Sequence, residues 1–487
     1  MIPGNPLHTN PFRYLETNAG SHGDELAFAT PLLTKTWIEL RDTAQKIAAK
    51  LRFSGVRPGQ RVMLAMNKTN SWLLQLAMFH EGVVSVAANA KALSTLNIDW
   101  LITDKPGSGF SIEKTFLVDQ EWLADATSRF KAQELIDYRP DDLIRISLTS
   151  GTTGVPKAIP ITAALLQNRC DSDELYWTYP KPYLGLLGFD SSVGFQGPVR
   201  ALVGGLPYYG LSVKDKEKWE FISKHRIRTL EASPIQMTEM MNLLDDSISL
   251  PDLELIRLSG SAIPGGLVKK IKARFEVEIW NGYGSNEAAG ATRSVVEVDS
   301  DPALAGKPDK KAKVAIFDES FNELPVGSIG RVAVKNSAMV HEYLDNPAAT
   351  KEFFVNGWFL PGDLGRLDEE GRLWLEGRSS EVINSGGKKI NPDVVDTFLK
   401  SQTGVVDAAT FAFQDKDGLT WSVAAVVGNA ELSMKKLATN MRKDLAKSAA
   451  KILFPTKSIP RNENGKVLRT QLAEDNRAML QKLLDNR

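Results

Sequence analysis

Residues 149–162 read TSGTTGVPKAIPIT: four hydroxyl side chains and two glycines in six residues, then a proline, a lysine and a return to apolar residues. The preceding LIRISL (143–148) alternates apolar and polar side chains, and KAIPIT does so again. The stretch therefore reads as a loop between two strands, not as a strand entering a helix. Glycine lets a backbone approach a ligand closely and leaves its N–H groups available. Thr149, Ser150, Thr152 and Thr153 add hydroxyl donors around Gly151 and Gly154, and Lys157 adds a full positive charge. Such a loop donates far more than it accepts, so the expected guest is a polyanion, most simply a triphosphate. The common phosphate-loop pattern needs four residues between its glycines and a lysine directly after the second. Here two residues separate Gly151 from Gly154, and Val155 and Pro156 precede Lys157, so that pattern fails. A plain polar surface hairpin is the competing reading of the composition.

Outward from the loop, the 487-residue chain is long enough for about three domains. Its 43% hydrophobic and 24% charged residues are ordinary for a globular protein. Basic and acidic residues balance at 59 each, which argues against nucleic acid or a membrane surface as a general partner. The single cysteine, Cys170, excludes an internal disulfide framework and fits a reducing compartment. MIPGNPLHTNPF at the start lacks the basic and apolar regions of a signal peptide. The longest apolar stretch, LLQLAMFHEGVVSVAA, is broken by Gln75, His80 and Glu81, so no membrane span is expected and the protein reads as cytoplasmic.

Strand-like and helix-like runs alternate for most of the length. RVMLAM (61–66) precedes SWLLQLAMFHEG and VVSVAAN; TLEAS (229–233) precedes PIQMTEMMNLLDD; LELIRLSG (253–260) precedes IPGGLVKKIKARF. That alternation predicts an α/β fold with a parallel, helix-covered sheet. Over about 312–376 the texture changes to short strands joined by turns (KVAIFDES, GSIGRVAVK, GRLWLEG), a small β-rich lobe. VVDTFLKSQ, TWSVAAVVG and KKLATNMRKDLAKSA then read as a compact α+β unit. The expected division is a large N-terminal domain, 1–377, and a small C-terminal domain, 378–487.

Three further segments carry chemistry-bearing residues in glycine-containing turns. VEIWNGYGSNEAAG (277–290) ends a strand in a turn with one aromatic, Tyr283, and one acid, Glu287. Such a turn can lay a ring against a purine and bring a carboxylate near phosphate-bound Mg²⁺; alone it is more often a plain turn. GWFLPGDLGRLDEEGRLWLEGR (357–378) carries Asp363, a carboxylate able to take both hydroxyls of a ribose, or merely to cap a turn. PRNENGKVLR (460–469) presents Lys466, which in a surface turn is normally solvated and idle. In this order, and with the 149–157 loop, the segments resemble the motifs of the AMP-forming adenylating enzymes: acyl-CoA synthetases, adenylation domains of peptide synthetases and firefly-type luciferases.

The resemblance implies ATP and Mg²⁺, with the triphosphate held by Thr149, Ser150, Gly151, Thr152, Thr153, Gly154 and Lys157. It implies that SGSAIP, with Ser259, Gly260 and Ser261, borders adenine, that Asn281, Gly282, Tyr283 and Gly284 carry the stacking turn, and that Glu287 holds Mg²⁺. Asn286 stands where the family has threonine, and its amide could donate to the α-phosphate instead. Asp363, in PGD where the family has TGD, and Arg378 would take the ribose. The hinge falls at Ser380, where Asp or Lys is usual. Lys466 would be inserted by the mobile C-terminal domain between the acid and the α-phosphate, stabilising charge as the acid oxygen attacks phosphorus. Catalysis would then rest on Lys466, Glu287 and Lys157.

Which acid is activated must come from the pocket. In LGLLGFDSSVGFQGPVRALVGG (184–205) no histidine occurs, whereas GFDSSVGF resembles the FDxSV motif of amino-acid-activating members, whose aspartate meets the substrate ammonium. A buried carboxylate needs a cation, so Asp190 has a physical reason to want an amine; the alternative is a helix N-cap. By the same matching the acid pocket includes Gly194, Glu231, Arg257, Ser259, Gly282 and Gly290 with Lys466, small and polar positions suited to a polar or small acid, unless Glu231 and Arg257 pair with each other. For the acceptor thiol, 13 Lys/Arg against 6 Asp/Glu over 431–487 suit either CoA phosphates or an acidic carrier, and a solvated helix surface equally. The reading is an adenylating enzyme that activates an amino acid and delivers it to the phosphopantetheine of a separate carrier protein. Its alternatives are an acyl- or aryl-CoA synthetase for an amine-free acid and, given Asn286, Ser380 and Ala158, a non-catalytic homologue.

Overall fold

LIRISL and AIPIT form strands β5 (Leu143–Leu148) and β6 (Ala158–Thr162), paired antiparallel across the glycine-rich segment. They are one edge of a six-stranded sheet that also holds β1 (Arg61–Ala65), β2 (Val84–Ala87), β3 (Trp100–Thr103) and β4 (Thr115–Leu117), in the order β4-β3-β1-β2-β5-β6. All neighbours but β5 and β6 run parallel. The computed structural model describes all residues except 1–7, 89–95, 106–113, 150–155, 173, 246–247, 379–380, 382, 386–387, 462–466 and 486–487.

The strand–helix alternation is present as expected. Helix α1 (Lys68–His80), capped by Asn67 accepting from the Asn70 amide, is buried throughout from Ser71 to His80. That is why its sequence is apolar on every face. Trp72, Leu74, Met78 and Phe79 join Trp37, Phe12 and Phe195 in the largest core. Each such side chain contributes roughly 1.5–3 kcal/mol relative to exposure.

The second sheet begins with four parallel strands, β7 (Tyr183–Gly185), β8 (Thr229–Ala232), β9 (Leu255–Ser259) and β10 (Glu278–Ser285). It turns antiparallel at β11 (Ala289–Val295) and β12 (Leu304–Pro308). Through β12 the hydrogen-bonded path continues into the strands of the 312–376 region: β13 (Ala312–Phe317), β14 (Gly330–Asn336), β15 (Asp363–Leu367) and β16 (Leu373–Arg378). The β-rich segment is thus an extension of the parallel sheet.

Helix α2 (Ser192–Val203) packs its phenylalanine, Phe195, into the largest core. From Ile383 onward the chain has its own apolar clusters, built on α3 (Pro392–Lys400), β17 (Val405–Gln414), β18 (Thr420–Gly428) and β19 (Ile452–Pro455). The molecule is therefore α/β with a large N-terminal part and a small α+β C-terminal part. Among the described residues, no helix is long and apolar enough to cross a membrane.

Candidate active site

The C-terminal ends of β1, β2, β5, β8, β9 and β10 face one cavity of about 2190 Å³. Ligands of parallel α/β sheets bind at that end of the strands. The space is about twice the upper range of roughly 300–1,000 Å³ usual for one small ligand, enough for a nucleotide and a second reactant.

At the phosphate end, the Thr149 amide donates to the Lys157 carbonyl (3.0 Å) and the Lys157 amide donates to Thr149 Oγ1 (3.3 Å), closing the neck of the loop. Ser150, Gly151, Thr152, Thr153 and Gly154 lie outside the described residues. The Lys157 ammonium sits 4.0 Å from the ring centroid of Phe353 and 5.6 Å from that of Tyr343, a cation–π setting. The Tyr343 hydroxyl donates to Glu287 Oε1 (2.7 Å). Burial, then the adjacent Glu287 carboxylate, pushes the Tyr343 phenol far above its ordinary value, so it remains a donor. Among the described residues no group of three or more His, Cys, Asp or Glu could hold a metal ion by itself. Glu287 can still give one carboxylate ligand to a Mg²⁺ that arrives on phosphates, the usual mode for that ion.

Arg169 is a hub that sequence reading missed. It is buried, with Nε donating to the Ala338 carbonyl (2.9 Å), Nη1 to Ser192 Oγ (3.3 Å) and Nη2 to the carbonyls of Asn286 (3.0 Å) and Glu287 (3.1 Å). Burial lowers its guanidinium to about 10, so it stays cationic near neutrality. Asn286 is engaged within the fold: its Oδ1 accepts from the Ser192 amide (2.9 Å) and its Nδ2 gives one of its two N–H groups to the Leu148 carbonyl (3.2 Å).

At the other end of the nucleotide region, Asp363 and Arg378 are register partners on β15 and β16. Arg378 Nε lies 3.2 Å from Asp363 Oδ1, and the Tyr283 hydroxyl donates to Oδ2 (2.6 Å). Burial raises the Asp363 carboxyl, with Arg378 and Tyr283 pulling it back down. These three residues, far apart in sequence, are brought together. Gly260 has φ +98°, with open space where a Cβ would stand, and Ser261 is exposed beside it. Asn281 Nδ2 donates to the Leu304 carbonyl (3.3 Å). Gly284 sits where a Cβ would meet the Ala289 carbonyl at 2.2 Å, so glycine there serves the tight β10–β11 hairpin.

The acid end departs most from expectation. Asp190 is not the cap of α2: Ser191 is, its side chain accepting from the Gly194 amide (3.0 Å). Two cations, Lys68 and Arg145, act on Asp190 electrostatically. Lys68, half-buried, donates to the carbonyls of Gly185 (3.1 Å), Leu186 (2.7 Å) and Leu211 (3.2 Å). Burial lowers its ammonium to about 7, and the charges of Asp190 and Asp215 oppose that fall. Arg145, 3% exposed in the middle of β5, donates to Ser85 Oγ (3.3 Å) and to the Phe189 carbonyl. Burial lowers it to about 9, again opposed by Asp190. Neither cation was legible as such: Lys68 reads as the start of a helix and Arg145 as the polar beat of a strand.

Glu231 and Arg257 are adjacent on β8 and β9 and pair at 3.2 Å, with Tyr183 donating its hydroxyl to the same carboxylate. Two of the small positions serve the protein itself. A Cβ on Gly194 would meet the Gly188 carbonyl at 2.0 Å, and Gly194 does not line the cavity. A Cβ on Gly282 would meet the Arg257 guanidinium at 3.0 Å. Ser259 and Gly290 line the cavity, Gly290 beside Asp309.

On the C-terminal side, Lys466 and Ser380 lie outside the described residues. The arginine that ends the Lys466 segment, Arg469, is anchored by Glu381 (3.0 Å), Asp393 (2.6 Å) and Asp396 (2.8 Å). Arg469 and these acids line the same cavity.

A family model described as AMP-binding enzyme matches residues 15–344. The chain is 25% identical over 464 residues to 2-succinylbenzoate–CoA ligase of Oceanobacillus iheyensis, spanning 90% of this chain and 94% of that one. It is 26% identical over 479 residues to tyrocidine synthase 3 of Brevibacillus parabrevis, covering 91% of this chain but 7% of that one. Among solved structures, O-succinylbenzoate coenzyme A synthetase of Bacillus subtilis in complex with ATP and magnesium ion superposes with a TM-score of 0.82 at 23% identity, covering 94% of this chain and 98% of that one. With the match running over well over half its length, the chain belongs to the AMP-binding enzyme family.

Proposed function

We propose that the protein is an ATP-dependent, AMP-forming acyl-CoA ligase for a carboxylic acid without an α-amino group. The observation that carries this reading is the charge balance at Asp190. Lys68 and Arg145 lie near enough for their charges to act on Asp190 from within the fold, which lessens the demand for a substrate ammonium. Near end-to-end correspondence with a CoA ligase supports the same choice.

In this reading Lys157 meets the outer phosphates, Tyr283 faces adenine, and Asp363 with Arg378 receives the ribose. Glu287, oriented by Tyr343, would give a carboxylate oxygen to Mg²⁺. When bound, the ion neutralises phosphate charge. The acid carboxylate oxygen attacks the α-phosphorus, a P–O bond breaks and pyrophosphate leaves. Lys466, carried by a C-terminal domain (378–487) that turns about Ser380 against the N-terminal domain (1–377), steadies the charge on the attacking carboxylate and the α-phosphate. The thiol of CoA then attacks the acyl carbonyl and AMP leaves.

The test is ATP–pyrophosphate exchange over matched amino acids and amine-free acids, followed by AMP release on adding CoA. Exchange with amine-free acids and CoA-dependent AMP release are expected. Exchange confined to amine-bearing acids and lost in Asp190→Asn would restore the second reading, amino-acid activation for a separate carrier protein, which the FDSSV segment favours.

A further inference from the structure

We infer that Asn286 is a positioning residue that locks the acid side of the cavity to the phosphate loop. Its amide spans two elements that no backbone ladder joins. Oδ1 takes the Ser192 amide at the start of α2, and Nδ2 gives to the Leu148 carbonyl at the end of β5. The orientation of the amide follows from its partners, because an N–H requires the oxygen and a carbonyl requires the nitrogen. Leu148 is the last strand residue before the loop that closes on Lys157. Ser192 opens the helix that follows Phe189 and Asp190. The same joint is held from behind by Arg169, which donates to Ser192 Oγ and to the Asn286 and Glu287 carbonyls. The end of β5, and with it the neck at Thr149 and Lys157, is thereby tied to the start of α2 and to the backbone of Glu287.

A threonine, the residue the family pattern carries here, cannot do this. Its hydroxyl is one atom shorter and cannot reach both the Ser192 amide and the Leu148 carbonyl. The substitution therefore separates a brace from a phosphate contact, since a threonine hydroxyl can replace an amide donor toward phosphate but cannot bridge. The inference rests on the reading that residues 149–157 cradle phosphate, and Lys157→Ala tests that separately.

The experiment measures binding of a non-hydrolysable ATP analogue with Mg²⁺ by calorimetry to the full chain and to Asn286→Thr, Asn286→Ala and Lys157→Ala. Hydrogen exchange is followed in peptides covering 143–162 and 189–203. The brace predicts that Asn286→Thr and Asn286→Ala weaken the analogue alike, roughly tenfold, that both peptides exchange faster, and that the two variants lower the melting temperature to a similar extent. Wild-type affinity in Asn286→Thr with loss in Asn286→Ala would overturn it in favour of a direct phosphate contact. Faster exchange in only one peptide would overturn the coupling. If Lys157→Ala leaves the affinity unchanged, the phosphate-loop reading fails while the exchange data still judge the brace.

Discussion

The two ends of the cavity are built in opposite ways. At the ribose end, Asp363 and Arg378 face each other across adjacent strands, Tyr283 reaches in from β10, and the carboxylate remains raised by burial. At the far end Glu231 pairs with Arg257 and Tyr183, and the charges of Lys68 and Arg145 act on Asp190. A carboxylate can accept about four hydrogen bonds. Asp363, with two partners, therefore keeps acceptor sites for a polar guest, whereas the acid end is already compensated. In the proposed reading the nucleotide end keeps acceptors for its ligand, whereas at the acid end Glu231 and Arg257 are already paired. That contrast makes the acid's identity harder to read than the nucleotide's.

The largest effect should come from breaking the ribose end. Asp363→Ala removes the acceptor and leaves Arg378 and Tyr283 without it, and nucleotide affinity measured by calorimetry should fall by on the order of 100-fold, the scale of two or more lost charge-assisted bonds. Arg257→Met at the acid end should act on stability instead. It strands the Glu231 carboxylate, which is 1% exposed, at a cost of about 3–5 kcal/mol in urea unfolding, with nucleotide affinity changed less than threefold. A large loss of affinity there would erase the distinction between the two ends. Gly194→Ala should cost less, about 1–3 kcal/mol from overpacking against the Gly188 carbonyl. Gly290→Ala, whose Cβ would meet only Asp309 at 3.3 Å, should be milder still.

How much was legible follows the same division. The 149–162 hairpin, the alternating sheet and the grouping of Tyr283, Glu287, Asp363 and Arg378 in one cavity could all be read from sequence. Their signals are local: period-2 strands, glycine turns and short motifs in order. Arg169, Tyr343, Lys68 and Arg145 could not be read so. Each acts through partners more than 20 residues away, and each sits in a run whose pattern says only helix, loop or strand. Asp190 illustrates the limit. Its motif announced a buried acid in want of a cation, and the cations came from β5 and from the start of α1 instead of from a ligand. Asn286 was visible as a departure from pattern, but the two bonds that give it meaning join segments 94 and 138 residues away.

The most direct test of the central claim is the unfolding free energy of Asp190→Asn without any ligand, compared with wild type at pH 6 and pH 9. Burial depresses Lys68 to about 7 in the folded chain against 10.5 ordinarily. Below pH 7 it is therefore charged and depends on Asp190, whereas at pH 9 it is neutral in the folded state. The unfolded chain keeps the proton between about 7 and 10.5, so this group makes wild-type stability rise with pH across that window. Internal compensation predicts that Asp190→Asn loses about 1–2 kcal/mol at pH 6 and distinctly less at pH 9. A variant as stable as wild type at pH 6, or more stable, would show that the carboxylate had stood uncompensated, waiting for a substrate ammonium.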